Sequence, residues 1–177
     1  KRSVIWSEPY QDAALNGLVV TASTPVFDEE DKFRGVAAMD IQLNRIAEVV
    51  SNIRIARSGY AFLVDKDSRL IAFPQSGYRD FGASPEALPL GEIIDPLKLP
   101  NAPTEFFEIL SKISAGESGS ASISMNGVDR LIVYRPLTEV SYGLAIIIPS
   151  RELQADAITA NARLLQQTQN TLAVSLI

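Results

Sequence analysis

The sequence predicts an α+β chain, with antiparallel sheets, flanking helices and one long terminal helix. Three observations carry this. Apolar runs of strand length are separated by turn chemistry, two segments repeat their apolar residues at spacings of three and four, and the stretch after Pro149 holds no Gly or Pro. With 177 residues, 46% of them hydrophobic, the chain can bury one sizeable core or two small ones.

Residues 1–41 read as β. Val4–Trp6, Leu18–Val26 and Phe33–Ile41 are apolar runs divided by Asn16-Gly17 and by the polar run Asp28–Lys32, so a hairpin or meander is expected. From Gln42 to Ile53 the period becomes helical, since Leu43, Ile46, Ala47, Val50 and Ile53 share one stripe. A second hairpin follows: Tyr60–Asp65 and Leu70–Phe73 flank Lys66-Asp-Ser-Arg69. Six prolines between Pro74 and Pro103 exclude long regular elements there. A helix is expected over Thr104–Ser114, with Thr104 as N-cap and Phe106, Phe107, Ile109, Leu110 and Ile113 apolar. Strands then follow at Gly119–Met125, Leu131–Arg135 and Tyr142–Ile148, with Asn126-Gly127 turning between the first two. The final helix runs from Pro149-Ser150 to at least Thr171, roughly 33 Å at 1.5 Å per residue. Leu153, Ala157, Ala160 and Leu164 mark either a seam against a partner helix or an ordinary surface stripe.

Composition removes several kinds of chemistry. Cys and His are both absent, so no thiolate nucleophile, Cys or His zinc site, or Ser-His-Asp relay can be built. No cofactor and no metal are expected. With 16 basic against 21 acidic residues and a net charge of -5, no basic stripe points to nucleic acid. No Gly-rich phosphate cradle or Gly-x-Ser-x-Gly elbow occurs. The apolar ending, Thr171–Ile177, and the start at Lys1 with neither Met nor a signal segment read as those of an excised piece.

The element order is that of PAS-like modules, and five segments narrow it: Trp6-Ser-Glu-Pro-Tyr-Gln-Asp12, Thr24-Pro-Val26, Gly35–Asp40, Gly59–Asp65 and Leu70–Pro74. Together they resemble the double Cache sensor domains, in which two PAS-like modules stack along a long helix outside the bacterial inner membrane. The resemblance implies that residues 1–53 are the rear part of a membrane-distal module, 54–149 a membrane-proximal module, and 150–177 a signalling helix leading into a transmembrane segment. It implies an extracytoplasmic ligand-sensing domain of a sensor kinase or chemoreceptor, non-catalytic in itself. It further implies a homodimer through long helices, anchored in the membrane. Asp12 and Asp40, with Trp6 and Tyr10 beside them, match positions that bind the amine of small ligands in this family. The family's upstream Arg-x-Trp-Tyr segment, whose Arg grips a ligand carboxylate, has no match in Arg2–Trp6.

Plainer readings stand beside these. Asp12 can bond the turn before Asn16, Asp40 can cap the following helix, and Trp6 and Tyr10 can be core or rim residues. Tyr60, Phe62, Asp65, Arg79 and Tyr134 form either a second pocket or hairpin packing. Two other functions compete: a module that dimerises and answers only to a protein partner, and a hydrolase using Asp12 and Asp40 as paired carboxylates.

Overall fold

A computed structural model describes residues 3–14, 17–84, 91–137 and 140–154. Among the described residues nine strands form two antiparallel sheets. The first sheet contains β1 (Ile5–Trp6), β2 (Tyr10–Gln11), β3 (Leu18–Phe27) and β4 (Phe33–Gln42), with β1, β2 and β4 all paired to β3. The acidic run between β3 and β4 is a turn, closed by Asp28 Oδ1 accepting from Lys32 N and by Asp31 at φ 64°. Asn16, half of the expected turn before β3, lies outside the described residues; Gly17 has φ 96°.

The second sheet has the order β6 (Leu70–Ala72), β5 (Tyr60–Asp65), β9 (Tyr142–Pro149), β8 (Val128–Leu137), β7 (Gly119–Met125). The last strand therefore lies between the first and the fourth, which is the PAS-like arrangement the element order predicts. One face of this sheet buries Phe62, Ile123, Ile132, Tyr134, Ala145 and Ile147 against α3 (Thr104–Ser114) and α2 (Gln75–Asp80). Phe81 and Phe106 stack at 4.6 Å in the middle of this core. Burying each such ring contributes about 1.5–3 kcal/mol, so this cluster is a large part of what holds α2 and α3 to the second sheet.

Helix α1 (Leu43–Ser51) follows β4 with no intervening residue. Its apolar stripe, Leu43, Ala47 and Val50, is buried in a second core together with Val20, Ala61, Leu63, Ile71 and Ala72, and with the partly buried Trp6, Leu18 and Ile41. The helix thus touches both sheets, because one stripe must cover apolar surface from each.

Three details differ from the sequence expectation. The N-cap position of α3 is held by Pro103, whose fixed φ of -71° suits it, and Thr104 makes no side-chain cap. The cap position of α1 is held by Gln42, which disposes of the capping role for Asp40. The proline-rich segment contains α2 and a 3₁₀ turn at Pro96–Lys98. The expected terminal helix is described only at its start, residues 150–154; Ala157, Ala160, Leu164 and Thr171–Ile177 lie outside the described residues.

Candidate functional site

Residues paired across antiparallel strands point to the same face of a sheet. The ladder matches Thr21 with Asp40 and Val19 with both Gln42 and Tyr10, so Tyr10, Val19, Thr21 and Asp40 share one face of the first sheet. Their hydrogen bonds agree. Thr21 Oγ1 donates to Asp40 Oδ1 at 2.7 Å, and the Tyr10 hydroxyl lies 2.7 Å from Thr21 Oγ1 and donates to the same carboxylate oxygen at 3.3 Å. Both bonds end on Oδ1. Among the described residues no basic side chain pairs with Asp40; Arg45 instead reaches Glu48 at 3.0 Å.

Asp12 joins the same place. Asp12, Val19, Asp40, Ile41, Gln42 and Arg45 line an open concavity of about 450 Å³. Asp12 Oδ1 also accepts from Ala14 N at 3.2 Å, so its turn-bonding role is real and coexists with its place on the concavity. Two carboxylates thus flank one hollow, and the Tyr10 hydroxyl bonds one of them.

Trp6 does not join them. It pairs with Ala22, which points to the opposite face, and packs into the second core beside α1. The cause is a one-residue change of register along β3: Trp6 stands opposite Ala22, yet Tyr10, four residues later, stands opposite Val19. Such a slip reverses which face a side chain occupies. The chain takes up the slip at Ser7–Pro9, where Ser7 N donates to Thr21 O and Ser7 Oγ accepts from Thr21 N, each at 2.9 Å.

The expected second pocket resolves into packing. Phe62 and Tyr134 belong to the core, and Arg79 is exposed. The Asp65 carboxylate is fully enclosed in its own turn, where it accepts from Asp67 N, Arg69 N and Arg69 Nε at 2.8–2.9 Å. Tyr60 instead faces a pair that sequence reading missed. Arg130, only 9% exposed, donates to Asp80 Oδ1 at 2.6 Å, while Arg130 Nε and the Tyr60 hydroxyl are buried without a hydrogen bond. Desolvation raises the Asp80 carboxyl above its ordinary range, although the charges of Arg130 and Arg79 pull it down. Desolvation also raises the Tyr60 hydroxyl, with Asp80 adding to it. No periodicity marks this trio, because its members come from β5, α2 and β8.

Among the described residues no group of His, Cys, Asp and Glu could hold a metal ion, and no helix is long and apolar enough to cross a membrane.

Comparison with known proteins gives a consistent picture. The family described as Cache domain matches residues 1–157. Methyl-accepting chemotaxis protein McpC of Bacillus subtilis is 37% identical over 73 residues, which is 41% of this chain and 11% of McpC. The extracellular domain of mmHK1S-Z3, a protein described as a histidine kinase, superposes with a TM-score of 0.58 at 20% identity, covering 89% of this chain and 53% of that one. The ligand-binding domain of the Pseudomonas fluorescens chemoreceptor CtaA, solved with L-isoleucine, gives 0.54 at 18% identity, covering 88% and 56%. The chain therefore spans about a tenth of its curated relative and about half of its structural neighbours.

Proposed function

The chain belongs to the Cache domain family, and from that premise we propose that it is the extracytoplasmic ligand-sensing part of a membrane-anchored receptor, taking an amine-bearing small molecule against Asp40. Its relatives are sensory domains of chemoreceptors and histidine kinases, which supports sensing and not catalysis by this domain. The CtaA domain was solved with an amino acid, which supports ligands of that class.

One observation carries the reading. Asp40 is held in orientation by two hydroxyls on one oxygen, lacks a cationic partner among the described residues, and faces a hollow shared with Asp12. An ammonium group fits this arrangement. It can donate to both carboxylates while meeting the Tyr10 ring, a cation-π contact worth about 0.5–1 kcal/mol where solvent has access. An exposed ion pair alone contributes only about 0–1 kcal/mol, so affinity requires that the bound ligand be screened from water. Trp6, on the far face, acts on this site only through the core it shares with α1.

The test is calorimetry of the purified ectodomain with the twenty L-amino acids and their decarboxylated amines. Asp40→Ala is expected to abolish binding of any ligand found, and Asp12→Ala to weaken it. Unchanged affinity in both variants refutes the site.

Dimerisation along the terminal helix is a second proposal. Leu153, the one seam position described, is 37% exposed. Leu153→Asp is expected to lower the self-association measured by sedimentation, and unchanged association refutes this.

A further inference from the structure

Residues 52–59 connect α1 to β5 and are the covalent bridge from the first sheet to the second. This bridge is tightly formed. Ile55 and Gly59 make an isolated β-bridge, with Gly59 N donating to Ile55 O at 2.9 Å, and Ala56 is left-handed at φ 51°. A Cβ on Gly59 would stand 2.6 Å from Ile55 O and 3.0 Å from Ile147 O, so the bridge presses against β9.

Its outer side converges on one carboxylate from the far end of the chain. Glu152 Oε2 accepts from Arg57 N at 2.9 Å and Ser58 N at 3.1 Å, while Oε1 accepts from Ser58 Oγ at 2.5 Å. Consecutive backbone amides flanked by a hydroxyl make an anion-holding nest, and both carboxylate oxygens are used. Slight desolvation pushes the Glu152 carboxyl up, but the bonds from Ser58 and Arg57, with Arg151 nearby, bring it below its ordinary range. Glu152 stands on the helix that leaves β9 directly, since β9 ends at Pro149 and residue 150 is already helical.

We propose that Glu152 is a positioning residue that locks the inter-module bridge to the start of the terminal helix, so that a displacement of α1 reaches that helix directly and not through the second module's core. The proposal rests on the sensor reading for its purpose, but its geometry does not. Besides Glu152, the described residues join the bridge to β9 through the contact of Gly59 with Ile147 and through the β5–β9 ladder, which begins at Tyr60 opposite Ile147. A rigid sheet moves as one body, so by itself it cannot shift one strand end relative to the rest. The latch spans that gap with three hydrogen bonds between parts 94 and 95 residues apart.

The chain has no cysteine, so paired nitroxide labels at Asn52→Cys and Gln154→Cys, both exposed, report the distance from bridge to helix without further changes. In otherwise wild-type protein a single narrow distance distribution is expected. Glu152→Ala should broaden it and raise amide exchange at Arg57, at Ser58 and at residues 151–154 together, by roughly tenfold. Ser58→Ala should act in the same direction more weakly, and Ser58→Thr should restore the wild-type width. The melting temperature of each variant shows that the core is intact. An unchanged distance distribution in folded Glu152→Ala, or faster exchange on one side only, overturns the latch. In the ligand arm, L-isoleucine is titrated as the probe: Glu152→Ala should keep the wild-type affinity and lose any ligand-driven change in label distance. Absence of binding to the wild type counts against L-isoleucine as a ligand, and the label widths then decide the latch alone.

Discussion

Replacing Asp80 with alanine strips a buried guanidinium of its partner, and the structure sets the size of the effect. Arg130 is 9% exposed, its Nη2 to Asp80 Oδ1 bond is 2.6 Å, its Nε lacks a hydrogen bond, and Asp80 is its ion-pair partner among the described residues. Breaking a buried pair by removing one member costs about 3–5 kcal/mol. The Asp80 side chain is itself 20% exposed, so water can partly replace it, and we expect a loss near the lower end, about 3 kcal/mol. Arg130→Met, which keeps the aliphatic stem and removes the charge, should cost only about 1 kcal/mol, and the double variant about the same, giving a coupling of roughly 3 kcal/mol. Urea denaturation at pH 7 with unchanged m-values measures each term. A loss below about 1 kcal/mol for Asp80→Ala, or simple additivity, refutes the reasoning. The pH dependence is a second check. Burial raises the Asp80 carboxyl in the folded state above its unfolded value, so the native state binds the proton first. The wild type should therefore gain stability relative to Asp80→Asn as the pH falls through the folded-state pKa towards the ordinary aspartate range, and lose it again as the pH rises.

Three further outcomes follow from single contacts. Gly143→Ala would drive a Cβ into Ile113 Cγ2 in the core, and should cost about 1–3 kcal/mol in a thermal or urea melt. Gly127→Ala meets nothing within 4 Å but sits at φ 73°, so its cost should be the backbone alone, about 1 kcal/mol. Thr21→Val keeps the shape of the side chain and removes the hydroxyl that holds Asp40 at 2.7 Å; ligand affinity by calorimetry should fall several-fold, about 1 kcal/mol, with melting unchanged.

How legible each part was depends on whether local chemistry or distant pairing decides it. The β7–β8 turn was readable because Asn126 and Gly127 adopt φ of 51° and 73°, values that few residue types accept. Helix α3 was readable from its apolar stripe, but its cap was not, since Pro103 fits the extended cap geometry without a side-chain bond. Helix α2 was hidden by Pro74 and Gly77. The glycine is there for packing and not for a turn, because a Cβ would lie 2.6 Å from the Phe73 ring. At the site, Tyr10, Asp12 and Asp40 came from the resemblance, while Thr21, which bonds Asp40 from the neighbouring strand, was not singled out. The separation of Trp6 from Tyr10 could not be read, since the register change at Ser7–Pro9 depends on pairing with β3. The Asp80–Arg130 pair and the Glu152 latch join residues 50 and 94 apart, and no window of sequence contains both partners.

On the proposed sensor reading, these contacts line up as one route from Asp40 to the terminal helix. Asp40 lies two residues before the end of β4, and α1 begins at the next residue, Leu43, so no loop can absorb a shift of the strand. The buried face of α1 is wedged against Ala61, Leu63, Ile71 and Ala72 of the second sheet, and close-packed surfaces of this kind transmit displacement in place of deforming. The bridge after α1 is pinned to the terminal helix through Glu152. A ligand pulling Asp40 towards Asp12 would act on β4, α1, the bridge and the helix in series. A coupling of about 1–3 kcal/mol, the size of one or two of these hydrogen bonds, is enough to change output several-fold or more. Loosening the series should uncouple output from binding without abolishing either. Gly insertion between Gln42 and Leu43 is expected to do so, leaving ligand affinity within a few-fold of wild type while the label distance at residue 154 no longer responds to ligand. A response that survives the insertion would mean that the signal travels by another path.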